Sequence, residues 1–419
     1  MKMLKVINIS YSDAAGGAAI GAMRFHKMLL KGGMDSKLFV VDKITDEEGV
    51  VELPDRKYRR KLASALTRLL TKYSDPNNPI ARSHNLVPMR LTKFLNNLDA
   101  DLIQFHWMGA NTLSIFEMAA IKKPVFWKLP DMWPFCGMTH YNLPNQLDRY
   151  KEKYTKKNKY FLNKAYDTDR LIWTVKYLTW KRFKPCFIGP SKWITNCVKS
   201  SHLFNKSEAR HILNPLDLNQ FRLLDKNKYR NKYGIDKDHK VIMLSALNVL
   251  NDKRKGVHHL IDALNNKDTL NQSNNIICII VGARKNDSQV INDIPVRYIE
   301  TTNNPFILAE YLNIADVFVL PAEMDNLPNV IKEASACGVM CAGFDIGGMP
   351  DMIKHLDTGY LAKPFDSHDL SKGINWCLNN ASKDKSLKIR KMAINKHSEE
   401  IVFDKVKEYY MDILKRREL

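Results

Sequence analysis

The sequence lacks most of the features that would place it at a glance. None of its apolar runs approaches the ~18 residues a membrane-spanning helix needs. The opening stretch Met1–Ser10 turns polar too soon to read as a secretory leader. Cysteine is sparse: seven residues, an odd number, scattered without any Cys-x-x-Cys, which argues against structural zinc and for a reducing compartment. A Gly-x-Gly-x-x-Gly fingerprint is absent, as are internal repeats and low-complexity tracts. What is present is an apolar content of 45%, too high for a disordered chain, over 419 residues. At roughly 100–200 residues per domain, that length predicts two or three domains.

Acidic residues are also in short supply, with 45 Asp+Glu against 65 Lys+Arg and a formal charge of +20. Such an excess invites an anionic partner. It is concentrated: 56–72 carries seven basic residues and no acid, and 149–184 carries twelve basic and three acidic residues. Those two stretches hold sixteen of the twenty charges. In the first, Tyr58, Leu62, Leu66, Leu69 and Tyr73 recur at helical spacing and predict an amphipathic helix. The second interleaves lysines with Tyr150, Tyr154, Tyr160, Phe161, Tyr166, Trp173, Tyr177, Trp180 and Phe183. Basic helices with aromatics suit an anionic bilayer surface, at about 1 kcal/mol per cation. The competing reading packs Tyr58 and the leucines on the core and leaves the lysines to solvate the surface. Nucleic acid is disfavoured, because no nucleic-acid motif accompanies the charge.

Short apolar segments alternate with helical ones in two series. The first comprises 5–10, 36–41, 101–106, 124–129 and 186–189; the second comprises 240–245, 275–281, 296–299, 317–320 and 339–343. Apolar strands alternating with helices imply parallel sheets covered on both faces. The expected fold is α/β, two doubly wound Rossmann-like domains with a cleft between them. The expected boundaries are an N-terminal domain over 1–215 with both basic stretches, a linker over 216–238, and a C-terminal domain over 239–395. A helix over 396–419 is expected to return to the N-terminal domain. Ligands of such sheets bind where the loops gather, at the carboxyl ends of the strands.

Two loops stand out on that criterion. Gly16, Gly17 and Gly21 follow the first strand and open a helix, where a backbone can approach an anion closely; a plain tight turn explains them equally well. The segment 321–338 is more specific. It leaves a strand, presents Glu323, Asp325, Asn326 and Leu327 in a loop, and enters a helix carrying Glu333. A helix start can hold a diphosphate through free N–H groups, and a carboxylate can grip ribose hydroxyls. Asp99-Ala100-Asp101 has the form of a metal-binding triplet but precedes a strand and is read as a loop.

Asp325–Gly338, with Phe344–Asp351 and Thr358–Asp366, resembles the C-terminal domain of family 4 retaining glycosyltransferases of the GT-B fold. Gly16-Gly17, Gly189–Trp193, Asn214–Asp217 and Asp252–Gly256 agree in the expected order. Asp131–Phe135 with His140-Tyr141 resembles a subgroup that builds bacterial exopolysaccharides and O-antigens. The resemblance implies a hexosyltransferase that retains anomeric configuration and moves a sugar from a nucleotide-diphosphate donor to a lipid-linked surface glycan. It implies cytoplasmic work, peripheral on the cytoplasmic face of the inner membrane, with no cofactor and no metal, because protein cations do the electrostatic work.

Residue by residue, the resemblance assigns Asp325 to sugar hydroxyls and Glu333 to the nucleotide ribose. Asn326 and Leu327 would offer N–H groups to the diphosphate, with Lys255, and Arg254 beside it, neutralising its charge. Gly16 and Gly17 would lie between donor phosphate and acceptor, and His106 would line the site from the N-terminal domain. Four departures are visible. Asp325 stands where the family has Glu, and Pro130 replaces a histidine that precedes Asp131 in relatives. No arginine occurs in Ala246–Leu250, and Asn142–Leu147 holds no cysteine. A non-catalytic scaffold stays open on Asp325, Pro130 and the missing arginine, and so does a nucleotide-sugar epimerase of the same fold, which Lys255 and the Asp325–Glu333 block fit less well.

Overall fold

The computed structural model describes residues 3–72, 80–142, 148–159, 166–246, 249–250, 252–266, 270, 275–302 and 304–418. Tyr73, Tyr160, Phe161, residues 247–248 of the stretch 246–250 and residues 143–147 of the stretch 142–147 lie outside the described residues. The chain divides into two compact units, Met1–Asn214 with Phe403–Leu419, and Pro215–Val402.

Unit 1 is built on seven parallel strands: β1 (Lys5–Ser12), β2 (Asp35–Asp42), β3 (Val50–Glu52), β4 (Leu102–Phe105), β5 (Val125–Lys128), β6 (Cys186–Gly189) and β7 (Ala209–His211). Their order is β3-β2-β1-β4-β5-β6-β7. The central strands β4, β5 and β6 are buried at every position. That explains why they read as continuous apolar runs rather than alternating ones. The final helix, Glu399–Glu418, contributes Tyr409 and Tyr410 to this unit. Both rings meet Phe126 edge-on, and Tyr410 Oη donates to Gln104 Oε1 at 2.7 Å.

Unit 2 repeats the plan with β8 (Lys240–Ser245), β9 (Ile276–Ala283), β10 (Asp287–Ile291), β11 (Ile294–Glu300), β12 (Val317–Leu320), β13 (Met340–Phe344) and β14 (Gly359–Ala362). The order is β10-β11-β9-β8-β12-β13-β14, parallel except for the β10–β11 hairpin. Its two-residue turn is Asn292-Asp293, both with positive φ, which a right-twisted hairpin requires. The sequence patterning misses β3, β7, β10 and β14. The first two have three residues each, and β10 is exposed along most of its length, so none carries an apolar run. All seven cysteines are buried free thiols.

The stretch 216–238, expected as a linker, is integral to unit 2. Within it the Lys226–Lys232 helix buries Arg230, whose guanidinium reaches Asp316 Oδ2 at 2.7 Å and the carbonyls of Ile314, Lys237 and His239. Asp316 also accepts from Val241 N–H and Lys226, so the start of β8 and the Lys226–Lys232 helix share one carboxylate. Burial alone would raise that carboxyl; Lys226 and Arg230 outweigh it and hold it below the usual range. Breaking a buried pair leaves an uncompensated charge. Arg230→Met is therefore expected to destabilise unit 2 by about 3 kcal/mol in urea unfolding. A change within 0.5 kcal/mol would return this stretch to the status of a linker.

The basic stretches divide once folded. In the Lys57–Lys72 helix, Ala63, Leu66 and Leu70 turn inward, whereas Tyr58, Leu62 and Leu69 are exposed. The expected single apolar face is thus two faces. Arg56 donates to Met89 O and Arg59 to Pro88 O, so these arginines are anchored to the protein. In the second stretch, Tyr150, Tyr154, Trp173, Trp180 and Phe183 are all core residues. Lys176 is fully buried, donating to the carbonyls of Trp133, Cys136 and Gly137 over the Trp133 ring. Arg149 is paired with Asp167 at 2.6 Å. Among the described residues no helix is long and apolar enough to cross a membrane.

Candidate active site

In unit 2 the site is assembled by a loop held from two sides. The loop 321–328 leaves β12 and enters the Asn329–Ala336 helix. On one side Gly256, at φ +72, lies so close to it that a Cβ there would stand 1.7 Å from Pro321 O. On the other, Gly347 at φ +52 would place a Cβ 2.0 Å from Asp325 O. Any side chain at either glycine would push the loop away and would have to adopt a left-handed backbone. Glu323 N–H donates to Arg254 O at 2.8 Å and completes the clamp.

Within that clamp Lys255 Nζ lies 3.0 Å from Asp325 Oδ2, both side chains about three-quarters or more buried. The structure thus brings together two residues 70 positions apart. Asn326 and Leu327 follow as buried loop residues, and Glu333 is buried one turn into the next helix. That helix starts at Pro328, which gives no side-chain cap. Arg254 is not oriented like its neighbour: its guanidinium folds back on Asp252 through Nε (3.0 Å) and Nη2 (2.7 Å).

In unit 1, Gly16 opens the Gly16–Lys31 helix at φ +85, with exposed Gly17 next and no side-chain cap at Ala15. Asp13, just before it, accepts from Ile44 N–H, Thr45 N–H and Thr45 Oγ1, tying the β1 and β2 loops together. Burial would raise the Asp13 carboxyl, but these donors hold it below its usual range.

His106 follows β4 and is buried against Phe25 of the same helix, ring centroids 5.3 Å apart. Its tautomer follows from a chain of hydrogen bonds. His26 Nε2–H donates to Glu48 O at 2.9 Å, so His26 Nδ1 accepts from the Ser36 hydroxyl at 2.8 Å. Ser36 Oγ in turn accepts from Asn8 Nδ2 at 2.9 Å, and this turns Asn8 Oδ1 toward His106 Nε2 at 2.9 Å. His106 must then carry its proton on Nε2 and keep its lone pair on Nδ1. Burial, then the charge of Lys128, push its pKa well below the ordinary value, so the imidazole is neutral.

Two residues here escape a reading of the sequence, and a third is quoted there without its partner. Lys128 ends β5 fully buried, 5.4 Å above the Phe25 ring, and burial pushes it down to about 7. Its only signal is a lysine inside an apolar strand. Asn8 is similar, an amide inside β1. The third is His140. His140 Nδ1 lies 2.6 Å from Asp131 Oδ2, a pairing that the sequence motif holding both residues does not by itself show. Trp107 Nε1 donates to the same oxygen, and Ser83 Oγ holds His140 Nε2 at 2.8 Å. Asp99 and Asp101 both engage Lys5, through its ammonium and its N–H.

Residues 225–396 match the family model described as glycosyl transferases group 1. The chain is 43% identical over 60 residues to N-acetyl-alpha-D-glucosaminyl L-malate synthase of Bacillus anthracis, covering 14% of this chain and 16% of that protein. It is 23% identical over 215 residues to the capsular polysaccharide biosynthesis glycosyltransferase CapM of Staphylococcus aureus, covering 49% and 54%. It therefore spans about half or less of these relatives' length. Among solved structures, Anabaena HepE in complex with UDP-glucose superposes with a TM-score of 0.64 at 14% identity, over 98% of this chain and 100% of that one. The likeness is one of fold.

Lys128 yields a test with a definite sign. A lysine whose folded pKa lies below its unfolded value of about 10.4 binds fewer protons folded than unfolded between about pH 7 and 10. Stability contributed by this group therefore rises with pH across that window. Relative to Lys128→Met, the wild type should gain about 2–3 kcal/mol between pH 7 and 9 in urea unfolding. A flat difference would mean the ammonium is solvated.

Proposed function

We propose, from the premise that residues 225–396 belong to the group 1 glycosyl transferases in a chain of GT-B fold, that this protein is a retaining hexosyltransferase. It takes a nucleotide-diphosphate sugar and extends a lipid-linked surface polysaccharide. The observation carrying this reading is the Lys255–Asp325 pair at 3.0 Å, in a loop packed closely against Gly256 and Gly347. Breaking a sugar–phosphate bond leaves charge on a diphosphate, and a fixed cation beside backbone donors stabilises that charge without reorganisation. Lys255 supplies the cation, Asn326 and Leu327 the N–H groups, Glu333 the grip on the ribose, and Asp325 the grip on the sugar while orienting Lys255. Arg254, committed to Asp252, acts by fixing the Lys253–Lys255 turn. The departing diphosphate assists removal of the acceptor proton on the same face, so no enzymic nucleophile and no metal enter the transfer. His106 serves the acceptor side as a neutral imidazole with Nδ1 as its lone-pair nitrogen, and Gly16 and Gly17 offer close backbone approach to an anion. UDP-glucose in HepE supports a uridine diphosphate sugar as the first donor to try.

The experiment is incubation with a panel of nucleotide sugars, with and without lipid-linked acceptor. Nucleotide released only when acceptor is present supports transfer; isomerised donor without acceptor supports an epimerase; failure to bind any nucleotide sinks both. Lys255→Ala and Glu333→Ala should each lower kcat/KM for donor at least tenfold, about 1.4 kcal/mol. Wild-type kinetics in both variants would overturn the site.

Membrane attachment belongs to the same proposal. The exposed stripe Tyr58, Leu62 and Leu69 is flanked by exposed Lys57, Lys61, Arg68 and Lys72, an arrangement that suits an anionic bilayer surface. Replacing those four cations with Gln should weaken binding to anionic vesicles at least tenfold while sparing turnover of a soluble acceptor. Unchanged vesicle binding would assign the stripe to solvent.

A further inference from the structure

The clamped loop carries one acidic side chain that the proposed transfer leaves unused. Glu323 Oε1 lies 3.1 Å from His258 Nε2 and 3.4 Å from His259 Nε2. The two imidazoles occupy the first turn of the Val257–Leu264 helix, ring centroids 4.1 Å apart. One donor atom from each of the three residues lies within 4.8 Å of the others. His259 is held in place from its far side: Nδ1 is 3.1 Å from Ser367 Oγ, and the ring meets Phe344 edge-on at 5.0 Å.

Hydrogen bonding alone does not satisfy this arrangement. His258 can donate to Glu323, but His259 Nε2 is buried and aligned for no hydrogen bond, although it stands within ion-pair distance of the same oxygen. Ser367 Oγ beside Nδ1 and the edge-on Phe344 ring fix the plane of His259, so that Nε2 faces the Glu323 carboxylate where a small cation would engage both. The spacing suits one. Bonds of about 2.0–2.2 Å in a tetrahedral site separate neighbouring ligand atoms by about 3.3–3.5 Å. Two of the three separations here are 3.1 and 3.4 Å.

We propose that His258, His259 and Glu323 form a binding site for one divalent transition-metal ion of zinc-like preference, with water in the fourth position. Two imidazoles and one carboxylate select zinc and its neighbours over magnesium and calcium, which take oxygen ligands. Ser367 is the outer partner that fixes the tautomer and angle of His259. The ion joins the helix following Lys255-Gly256 to the 321–328 loop, adding a third fastening to the two glycine contacts. It is a fastening and not a participant in transfer. The family resemblance implies no metal in transfer, and the site stands whether or not the chain transfers sugar, because its test needs neither donor nor acceptor.

The test is calorimetric titration of metal-stripped full-length protein with zinc chloride, with cobalt(II) absorption as a second readout. Wild type should take up one equivalent that His258→Ala with His259→Ala binds at least tenfold more weakly. Ser367→Ala should weaken the same equivalent by about tenfold. Wild-type cobalt(II) should show a ligand-field band that His258→Ala abolishes. His258 is 47% exposed, so its truncation leaves the fold intact and the loss reports a missing ligand. Zinc should raise the wild-type Tm and leave that of the double variant unmoved. Equal zinc affinity in wild type and double variant, or a cobalt spectrum indifferent to His258, overturns the proposal.

Discussion

Two left-handed glycines pressed against the carbonyls of Pro321 and Asp325 are the contacts on which the candidate site depends. They permit a backbone-to-backbone approach that no side chain would allow, and so define where the 321–328 loop can be. Everything proposed for unit 2 hangs from that loop. Asp325 reaches Lys255, Asn326 and Leu327 are buried behind it, and Glu323 turns to the histidine pair. The loop carries polar groups that would be costly to bury without partners. Close packing at the glycines makes those partners available without any reorganisation, which is the condition for useful electrostatic stabilisation.

Unit 1 solves a different problem, the orientation of a buried neutral imidazole. Its solution is a relay of hydrogen bonds whose polarity starts at one backbone carbonyl, Glu48 O, and runs through His26, Ser36 and Asn8 to His106. Each member has one arrangement that satisfies its neighbours, so the proton on His106 is decided several residues away. A chain of this kind is worth more than its separate bonds, and an interrupted one costs more. The Asp131–His140 pair is held in the same way, with Trp107 on the carboxylate and Ser83 on the far nitrogen of the ring.

The charge excess separates into three uses. Lys176, Arg149 and Arg230 are structural cations, buried among carbonyls, rings or carboxylates. Lys255 faces the proposed chemistry. Lys57, Lys61, Arg68 and Lys72 are exposed beside an apolar stripe on the Lys57–Lys72 helix. Net charge therefore says little about function until each cation's surroundings are known.

Much of the architecture was legible from local pattern. Both strand series are visible because parallel strands buried on two faces must be apolar throughout, and the 321–338 loop is visible because polar residues between a strand and a helix have few structural uses. The short edge strands were not, since three residues cannot display a period. Helical spacing in 56–72 identified an apolar stripe, but not that Leu66 and Leu70 face the core while Tyr58, Leu62 and Leu69 face outward. Nor could sequence pair His140 with Asp131, Arg254 with Asp252, or Glu323 with His258 and His259. Composition and periodicity are properties of neighbours along the chain, and they determined the layers. Which side chains meet depends on contacts between distant segments, and only the packing of loops at the sheet edge decided those.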